Sequence, residues 1–325
     1  MTAAEYIKGI FSGDTTLLGR AITLVESRKK SDRNTARKVV QGCIEKSGNS
    51  FRLGITGPPG VGKSTFIDAL GHHAVVNGKK VAVLAVDPSS ARSQGSILGD
   101  KTRMMRLFKN QNAFIRPSPS SGASGGIGAA TREAIILCEA AGFDFIIVET
   151  VGVGQNETAV HSLVDFFLLL QMPGAGDELQ GIKRGILELA DAILINKADG
   201  DNREKALKAL SVFRNALILF GDKECGWIVP VEICSAQNED GIDTVWSIIN
   251  DYHKRALDCG SFMNRRSDQL RFWFYQTLRH TIEENIFSRT DVRRIIATKE
   301  KNVLRGGISP VRAAEEALRE FKKLK

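Results

Sequence analysis

The sequence predicts an α/β fold with a mostly parallel sheet that helices cover on both faces. Short apolar segments alternate with helical segments from residue 51 to about residue 240. Segments that are apolar along their whole length, rather than at every second residue, are typical of parallel strands buried on both faces. The predicted strands are RLGIT (52–56), KVAVLAV (80–86), AFIRP (113–117), FDFIIVE (143–149), DFFLLLQM (165–172), AILIN (192–196) and WIVPVEIC (227–234).

Both ends of the chain have helical periodicity instead. In TTLLGRAITLVES, apolar residues fall on one helical face: Leu17, Leu18, Ala21, Ile22 and Val25. We therefore expect a helical extension over residues 1–50, an α/β domain over 51–257 and a helical arm over 258–325.

The arm carries an apolar stripe with a spacing close to four residues. Its members are Leu270, Phe274, Leu278, Ile282 and Ile286, and Trp273 and Tyr275 widen it. Such a stripe requires a cover, which is either the rest of the same chain or a second subunit. The pattern alone leaves both alternatives open.

Composition and charge argue against several classes of protein. The chain has 325 residues and a net charge of +8, and its basic residues are interspersed with acidic ones at helical spacing. This pattern favours solvated helix faces, or a surface for an acidic partner, over a nucleic-acid interface. The N-terminus lacks the pattern of a signal peptide and no apolar run has the length of a membrane span, so we expect neither secretion nor a membrane.

The five cysteines are scattered, without a Cys-x-x-Cys pair. They are Cys43, Cys138, Cys225, Cys234 and Cys259. This spacing favours packing or surface cysteines over a zinc site or a disulfide framework, and it predicts the reducing cytoplasm as the setting.

A phosphate-binding loop lies between the first predicted strand and a helix. The segment GPPGVGKST runs through Gly57, Pro58, Pro59, Gly60, Val61, Gly62, Lys63, Ser64 and Thr65. It fits the pattern G-x-x-x-x-G-K-[ST], in which backbone N–H groups and a helix N-terminus surround phosphate oxygens. In this pattern Lys63 reaches the β- and γ-phosphates, and the Ser64 hydroxyl binds Mg²⁺.

Three acidic residues are candidates to complete a magnesium site with Ser64. Glu149 and Asp87 end two predicted strands, and Asp100 lies in a loop punctuated by glycines. Acidic residues at the carboxyl ends of parallel strands face the ligand crevice, and Mg²⁺ prefers a few carboxylates with phosphate and water oxygens. Asp100 could alternatively cap a helix.

The segment NKAD at 196–199 predicts that the base is guanine. The Asp199 carboxylate can accept from both N1–H and the amino group of guanine, whereas adenine would leave it unpaired. Asn196 would brace the loop, and the aliphatic part of Lys197 would cover the base. After the last strand, Ser235, Ala236 and Gln237 form a second segment, in which the Ala236 N–H could bind the guanine carbonyl.

The switch segment after the fourth strand is unusual. ETVG at 149–152 has Glu in place of the expected Asp, and glutamine appears only at Gln155. The residue that positions the attacking water is therefore not identified, and we expect slow intrinsic hydrolysis.

Four longer segments resemble a known family. They are VDPSSARSQGSILGDKTRM (86–104), FIRPSPSSGASGGIGAATRE (114–133), VETVGVGQNETAV (148–160) and MPGAGDELQGIKRGILELAD (172–191). Together they are similar to the methylmalonyl-CoA mutase-associated GTPases, P-loop NTPases that include MeaB, the cobalamin type A proteins and sequences once named arginine/ornithine transport kinases. The likeness covers most of residues 51–250 and extends more loosely to both ends.

The resemblance implies a function and further site residues. Members of the family are homodimers with a C-terminal dimerisation arm, and they bind an adenosylcobalamin-dependent acyl-CoA mutase. They hydrolyse GTP to GDP with Mg²⁺ while they gate cofactor loading and protect or reactivate the mutase. The resemblance makes 172–183 an additional switch with Asp177 and Lys183. It also implies a set of catalytic candidates: Lys63, Glu149, Asp100 and Lys183.

Two other functions remain as alternatives. A P-loop can serve a kinase, as the older arginine/ornithine transport names suggest, but no acceptor site is recognisable in the sequence. A metal-delivery GTPase has a similar core and usually carries clustered His or Cys. Here only His72 and His73 are adjacent, and neighbouring helical residues point about 100° apart.

Overall fold

The architecture is that of a computed structural model, which describes residues 1–27, 29–87, 103–119, 127–150, 157–174 and 184–323. The described residues form a seven-stranded sheet in the order β3-β2-β4-β1-β5-β6-β7. Every pairing is parallel. The strands are β1 Phe51–Thr56, β2 Val81–Asp87, β3 Ala113–Pro119, β4 Phe145–Thr150, β5 Phe166–Gln171, β6 Ala192–Ile195 and β7 Val231–Ile233.

These strands confirm the predicted α/β fold. The central strands β4 and β5 are buried at all six of their positions, as expected when helices cover both faces of a sheet. The seventh strand is shorter than predicted. It begins at Val231 rather than at Trp227, because Trp227 instead forms a bridge to Lys223 and its indole N–H donates to the Asp191 carbonyl at 2.9 Å.

Helices precede, alternate with and follow the strands. Those before β1 are α1 Ala3–Phe11, α2 Thr15–Glu26 and α3 Lys30–Cys43. Those between strands are α4 Lys63–Val76, α5 Met105–Phe108, α6 Ile127–Ala140, α7 Glu157–His161, α8 Arg184–Leu189 and α9 Arg203–Leu217. Those after β7 are α10 Ile242–Asp258, α11 Ser261–Phe287, α12 Thr290–Leu304 and α13 Pro310–Phe321. None of the described helices is long and apolar enough to cross a membrane.

The chain divides into two compact units, Met1–Leu270 and Arg271–Lys325. The first contains the sheet and its helices. The second contains most of α11 together with α12 and α13, and Lys299 of α12 forms ion pairs with Glu316 and Glu320 of α13 at 3.0 and 2.8 Å.

Two aspartates anchor the beginning of α11 to the amino ends of neighbouring strands. Asp165 accepts the Arg52 N–H at 2.8 Å and binds Arg266 of α11. Asp191 accepts the Phe167 N–H at 2.8 Å and binds Arg265 at 3.2 Å. Both carboxylates are almost fully buried. Removal of one partner of such a pair generally costs about 3–5 kcal/mol, so this junction is a strong constraint on the start of α11.

The prediction for the cysteines was wrong for two of the five. Cys225 and Cys259 form a disulfide, with their Cα atoms 6.3 Å apart. The bond joins the segment before β7 to the end of α10. Spacing motifs detect only local pairs, whereas this pair is 34 residues apart in sequence and is brought together by the fold. The other cysteines, Cys43, Cys138 and Cys234, are free and buried.

Candidate nucleotide-binding site

The candidate site lies where three adjacent strands end. β1 and β4 are neighbours, and Ile55 pairs with Glu149. On the other side of β4, Ala85 of β2 also pairs with Glu149. The Thr150 hydroxyl donates to the Thr56 hydroxyl at 2.8 Å and ties the ends of β4 and β1 together. Glu149 therefore lies beside the end of β1, where its partner Ile55 is two residues before Gly57, the first residue of the phosphate loop.

The phosphate loop requires glycine at two positions because other segments approach its backbone closely. A Cβ atom on Gly57 would lie 2.5 Å from the Leu170 carbonyl oxygen. Gly62 has φ +92°, and a Cβ there would lie 2.9 Å from Asn196 Nδ2. Side chains are disfavoured both by this left-handed conformation and by these contacts. The pattern in the sequence therefore corresponds to a packing requirement as well as to phosphate binding.

Lys63 begins α4 and folds back over the loop. Its Nζ donates to the carbonyl oxygens of Gly57 at 2.9 Å and Pro58 at 3.2 Å. Burial lowers the pKa of Lys63, and the nearby Glu149 carboxylate opposes this effect. A buried cation beside a phosphate loop is suited to neutralise phosphate oxygens.

The first turn of α4 and β4 offer ligands of the type that Mg²⁺ prefers. Ser64, half-buried, and Thr65, exposed, follow Lys63 at the helix N-terminus. Glu149 is buried and contributes a carboxylate at the same edge of the sheet. A hydroxyl and a carboxylate fit a magnesium ion that is completed by phosphate and water oxygens. Among described residues, no three His, Cys, Asp or Glu side chains are grouped to hold a metal.

Several predicted site residues lie outside the described part of the chain. Asp100, Asp177 and Lys183 are among these residues, and for Asp87 only the backbone at the end of β2 is described. Their assignments stay predictions.

Asn196 connects the phosphate loop to the segment 235–237. It follows β6, and its side-chain amide donates to the Val61 carbonyl of the phosphate loop at 2.8 Å. Its side-chain oxygen accepts the Ala236 N–H at 3.0 Å. The Ala236 N–H, predicted to bind the guanine carbonyl, donates to Asn196 here, so its role toward the base stays a prediction.

The Asp199 carboxylate is held by a serine from the second segment. The Ser235 hydroxyl donates to Asp199 at 2.9 Å and accepts the Asn238 N–H at 3.3 Å. Lys197 has φ +61° and an exposed side chain. Its Cε lies 3.7 Å from the Cβ position of Gly62, so its aliphatic part follows the phosphate loop. Gln237 is exposed.

Sequence reasoning missed the contacts that link these segments to the rest of the domain. Ser235 was included only as part of its motif. Arg106 and Asp68, whose side chains form an ion pair at 3.2 Å, were not singled out. An isolated arginine or aspartate in a helix has no local pattern that marks such a role, because its partners come from distant parts of the chain.

Comparisons with known proteins identify the family. The family described as methylmalonyl Co-A mutase-associated GTPase MeaB matches residues 18–291. A probable GTPase of Mycobacterium tuberculosis is 47% identical over 306 residues, which are 94% of this chain and 91% of the relative. The mouse protein named methylmalonic aciduria type A homolog, mitochondrial, is 42% identical over 324 residues, 97% of this chain and 78% of its own.

A solved structure has the same fold over nearly the full length. The crystal structure of a LAO/AO transport system kinase has a TM-score of 0.79 and 35% identity, and the match covers 98% of this chain and 97% of that one. Together with the phosphate loop and the relatives that are named GTPases, these matches lead to one conclusion. The chain belongs to the family of methylmalonyl-CoA mutase-associated GTPases and is a P-loop enzyme that hydrolyses GTP.

Proposed function

We propose that this GTPase is a chaperone of an adenosylcobalamin-dependent acyl-CoA mutase, with methylmalonyl-CoA mutase as its partner. In this role it gates the loading of the cofactor and protects or reactivates the mutase. The observation that carries the proposal is the match of residues 18–291 to a family defined by association with that mutase. The name of the mouse relative, which refers to methylmalonic aciduria, supports the same partner.

The proposed site assigns a task to each group around the nucleotide. Asp199 recognises guanine, while Asn196 and Ser235 hold the base-recognition segments in place. Lys63 and the loop N–H groups bind the phosphates. The other proposed catalytic residues are Glu149, Asp100 and Lys183. Mg²⁺ is held by Ser64, Asp87, Asp100 and Glu149, and when bound it neutralises phosphate charge during hydrolysis.

The proposed mechanism is a population shift. The segments 87–104, 149–157 and 172–183 begin in the sequence at or next to the ends of β2, β4 and β5. We propose that the γ-phosphate and Mg²⁺ hold these segments in one arrangement, which hydrolysis releases. A mutase that binds one arrangement better is then coupled to the nucleotide state, typically by about 1–3 kcal/mol.

Recovery of the mutase from cell extract tests the partner. Tagged protein loaded with a non-hydrolysable GTP analogue should retain an adenosylcobalamin-dependent mutase, identified by mass spectrometry, and protein loaded with GDP should retain a different amount. The difference is expected because only the triphosphate supplies the γ-phosphate contacts.

The Lys63→Ala variant in the same extract is the matched control, and it should lose the difference between nucleotides. Equal recovery of the mutase with both nucleotides would contradict the coupling, and no mutase with either nucleotide would contradict the partner. A radiolabelled γ-phosphate that appears on another protein, rather than as free phosphate, would support the kinase alternative instead.

We also propose that the protein is a homodimer and that α11 lies at the interface. Large apolar side chains of this helix are exposed in the single chain, among them Phe274 at 61%, Tyr275 at 53% and Ile282 at 47%. Exposed apolar patches of this kind mark interaction surfaces. A second copy presents the same stripe, and such self-complementary contacts are typical of twofold dimers.

Substitution of Phe274 by glutamate should convert the dimer to a monomer. A charge buried at a mostly apolar interface is costly, since it loses its water without a partner. Light scattering coupled to size-exclusion chromatography measures the mass. Arg319→Glu, at an exposed position of α13, is the control and should leave the dimer intact. A wild-type protein that elutes with the mass of one chain would contradict the proposal.

We propose that the protein acts in the cytoplasm, and cell fractionation would test this location.

A further inference from the structure

Arg106 connects two parts of the nucleotide site that are far apart in sequence. It lies in α5, and its Nε donates to Asp68 Oδ2 of α4 at 3.2 Å. Its Nη1 forms an ion pair with Glu239. Glu239 belongs to residues 235–240, which we call the base loop because Ser235 and Ala236 contact the guanine motif.

The position of Arg106 relative to the phosphate loop is fixed by packing. The buried Asp68 accepts the Leu107 N–H at 3.0 Å through its other oxygen. Leu107 is fully buried and lies against Gly71, where a Cβ would be 2.6 Å from Leu107 Cδ1. α5 is therefore seated on α4, the helix that begins at Lys63.

The base loop links Glu239 to Ser235, which contacts Asp199 of the guanine motif at 196–199. Its ends are joined by the Ser235 N–H, which donates to the Asp240 carbonyl at 3.0 Å. Glu239 has φ +64°, an uncommon conformation for a residue with a side chain. Because the loop is short and closed, displacement of Glu239 also displaces Ser235, which holds Asp199.

We propose that Arg106 is a positioning residue for guanine recognition. It holds the base loop against α4 through Glu239, and the loop in turn keeps Asn196 and Asp199 in the geometry that receives the base. The proposal rests on the guanine site proposed above. In this proposal Arg106 acts through Glu239 and the base loop, so its effect is on how long the base is retained rather than on the chemical step.

The expected size of the effect follows from solvent exposure. The side chains of Arg106 and Glu239 are 41% and 49% exposed, so the pair is partly screened by water and salt. Exposed ion pairs contribute up to about 1 kcal/mol of interaction free energy, which corresponds to roughly a fivefold change in the dissociation rate of GDP.

The dissociation rate of a fluorescent GDP from the full-length protein tests the proposal. Arg106→Gln and Glu239→Gln should each release GDP about three to five times faster than the wild type. The double variant should release it no faster than the more affected single variant, since both changes remove one interaction. Arg106→Lys, which retains the charge but not the two-sided geometry, should lie between Arg106→Gln and the wild type.

Two further readouts and a control variant separate positioning from a general loss of stability. The difference between Arg106→Gln and the wild type should shrink at about 1 M salt, because salt screens the ion pair. Lys109→Gln removes an exposed charge next to the end of α5 and should leave the rate unchanged. The thermal midpoint of Glu239→Gln should remain close to that of the wild type.

Additive effects of the two single variants, or wild-type dissociation by Arg106→Gln, would overturn the proposal. Its failure can be distinguished from failure of the guanine site. If Asp199→Asn loses the preference for GTP while Arg106→Gln releases GDP at the wild-type rate, the guanine site is supported and the positioning role of Arg106 is wrong. If Asp199→Asn retains that preference, the guanine site itself is wrong.

Discussion

Replacement of Lys63 by alanine is expected to reduce GTP hydrolysis by on the order of a hundredfold or more, because a preorganised cation is lost where charge develops on the phosphates. In the structure this ammonium group also binds the carbonyl oxygens of Gly57 and Pro58. Its removal therefore leaves two loop acceptors without their donor and takes away a positive charge near Glu149. Release of inorganic phosphate at saturating GTP measures the effect.

Lys208→Ala is the matched control for this experiment. Lys208 is an exposed lysine on α9, and its loss should not change the rate. Hydrolysis by Lys63→Ala within about threefold of the wild-type rate would show that Lys63 does not stabilise the transition state.

Asp199→Asn is expected to shift the preference of the enzyme from GTP toward xanthosine triphosphate. The carboxylate can accept two hydrogen bonds from guanine, each worth about 1.5–3 kcal/mol when the acceptor is charged. An asparagine amide would instead direct N–H groups at the guanine donors, whereas xanthine presents a carbonyl at that position. The affinity for GTP should fall by about a hundredfold or more.

Competition between the two triphosphates for a fluorescent GDP analogue measures this shift. The Ser235 hydroxyl can still donate to the side-chain oxygen of Asn at position 199, so the loop should keep its structure. Asp201→Asn, an exposed change two residues away, should leave the selectivity unaltered. Full selectivity for GTP in the Asp199→Asn variant would exclude this carboxylate as the group that recognises the base.

Much of the fold was predictable because it depends on local patterns. Mostly apolar segments identified every strand of the described sheet, and the error at β7 arose where Trp227 and Pro230 occupy an irregular approach to the strand. The order of the strands was not predictable in the same way. It places β1 between β4 and β5, and this arrangement depends on contacts between distant segments.

Short motifs identify the chemistry of the chain without reference to its fold. The loop at 57–65 and the motif at 196–199 are contiguous, so each is recognisable without knowledge of the fold, and each predicts what its segment binds. Glu149 and Asp87 were found as candidates in a similar way, because each ends an apolar segment that predicts a strand.

The contacts that hold these segments together become visible only in the folded chain. The Cys225–Cys259 bond spans 34 residues and the Arg106–Glu239 pair spans 133. An arginine, a glutamate or a cysteine is compatible with many environments, and its partner is selected by the path of the chain rather than by its neighbours in sequence. Side-chain contacts of this kind depend on how distant segments pack, so they are not predictable from the local sequence.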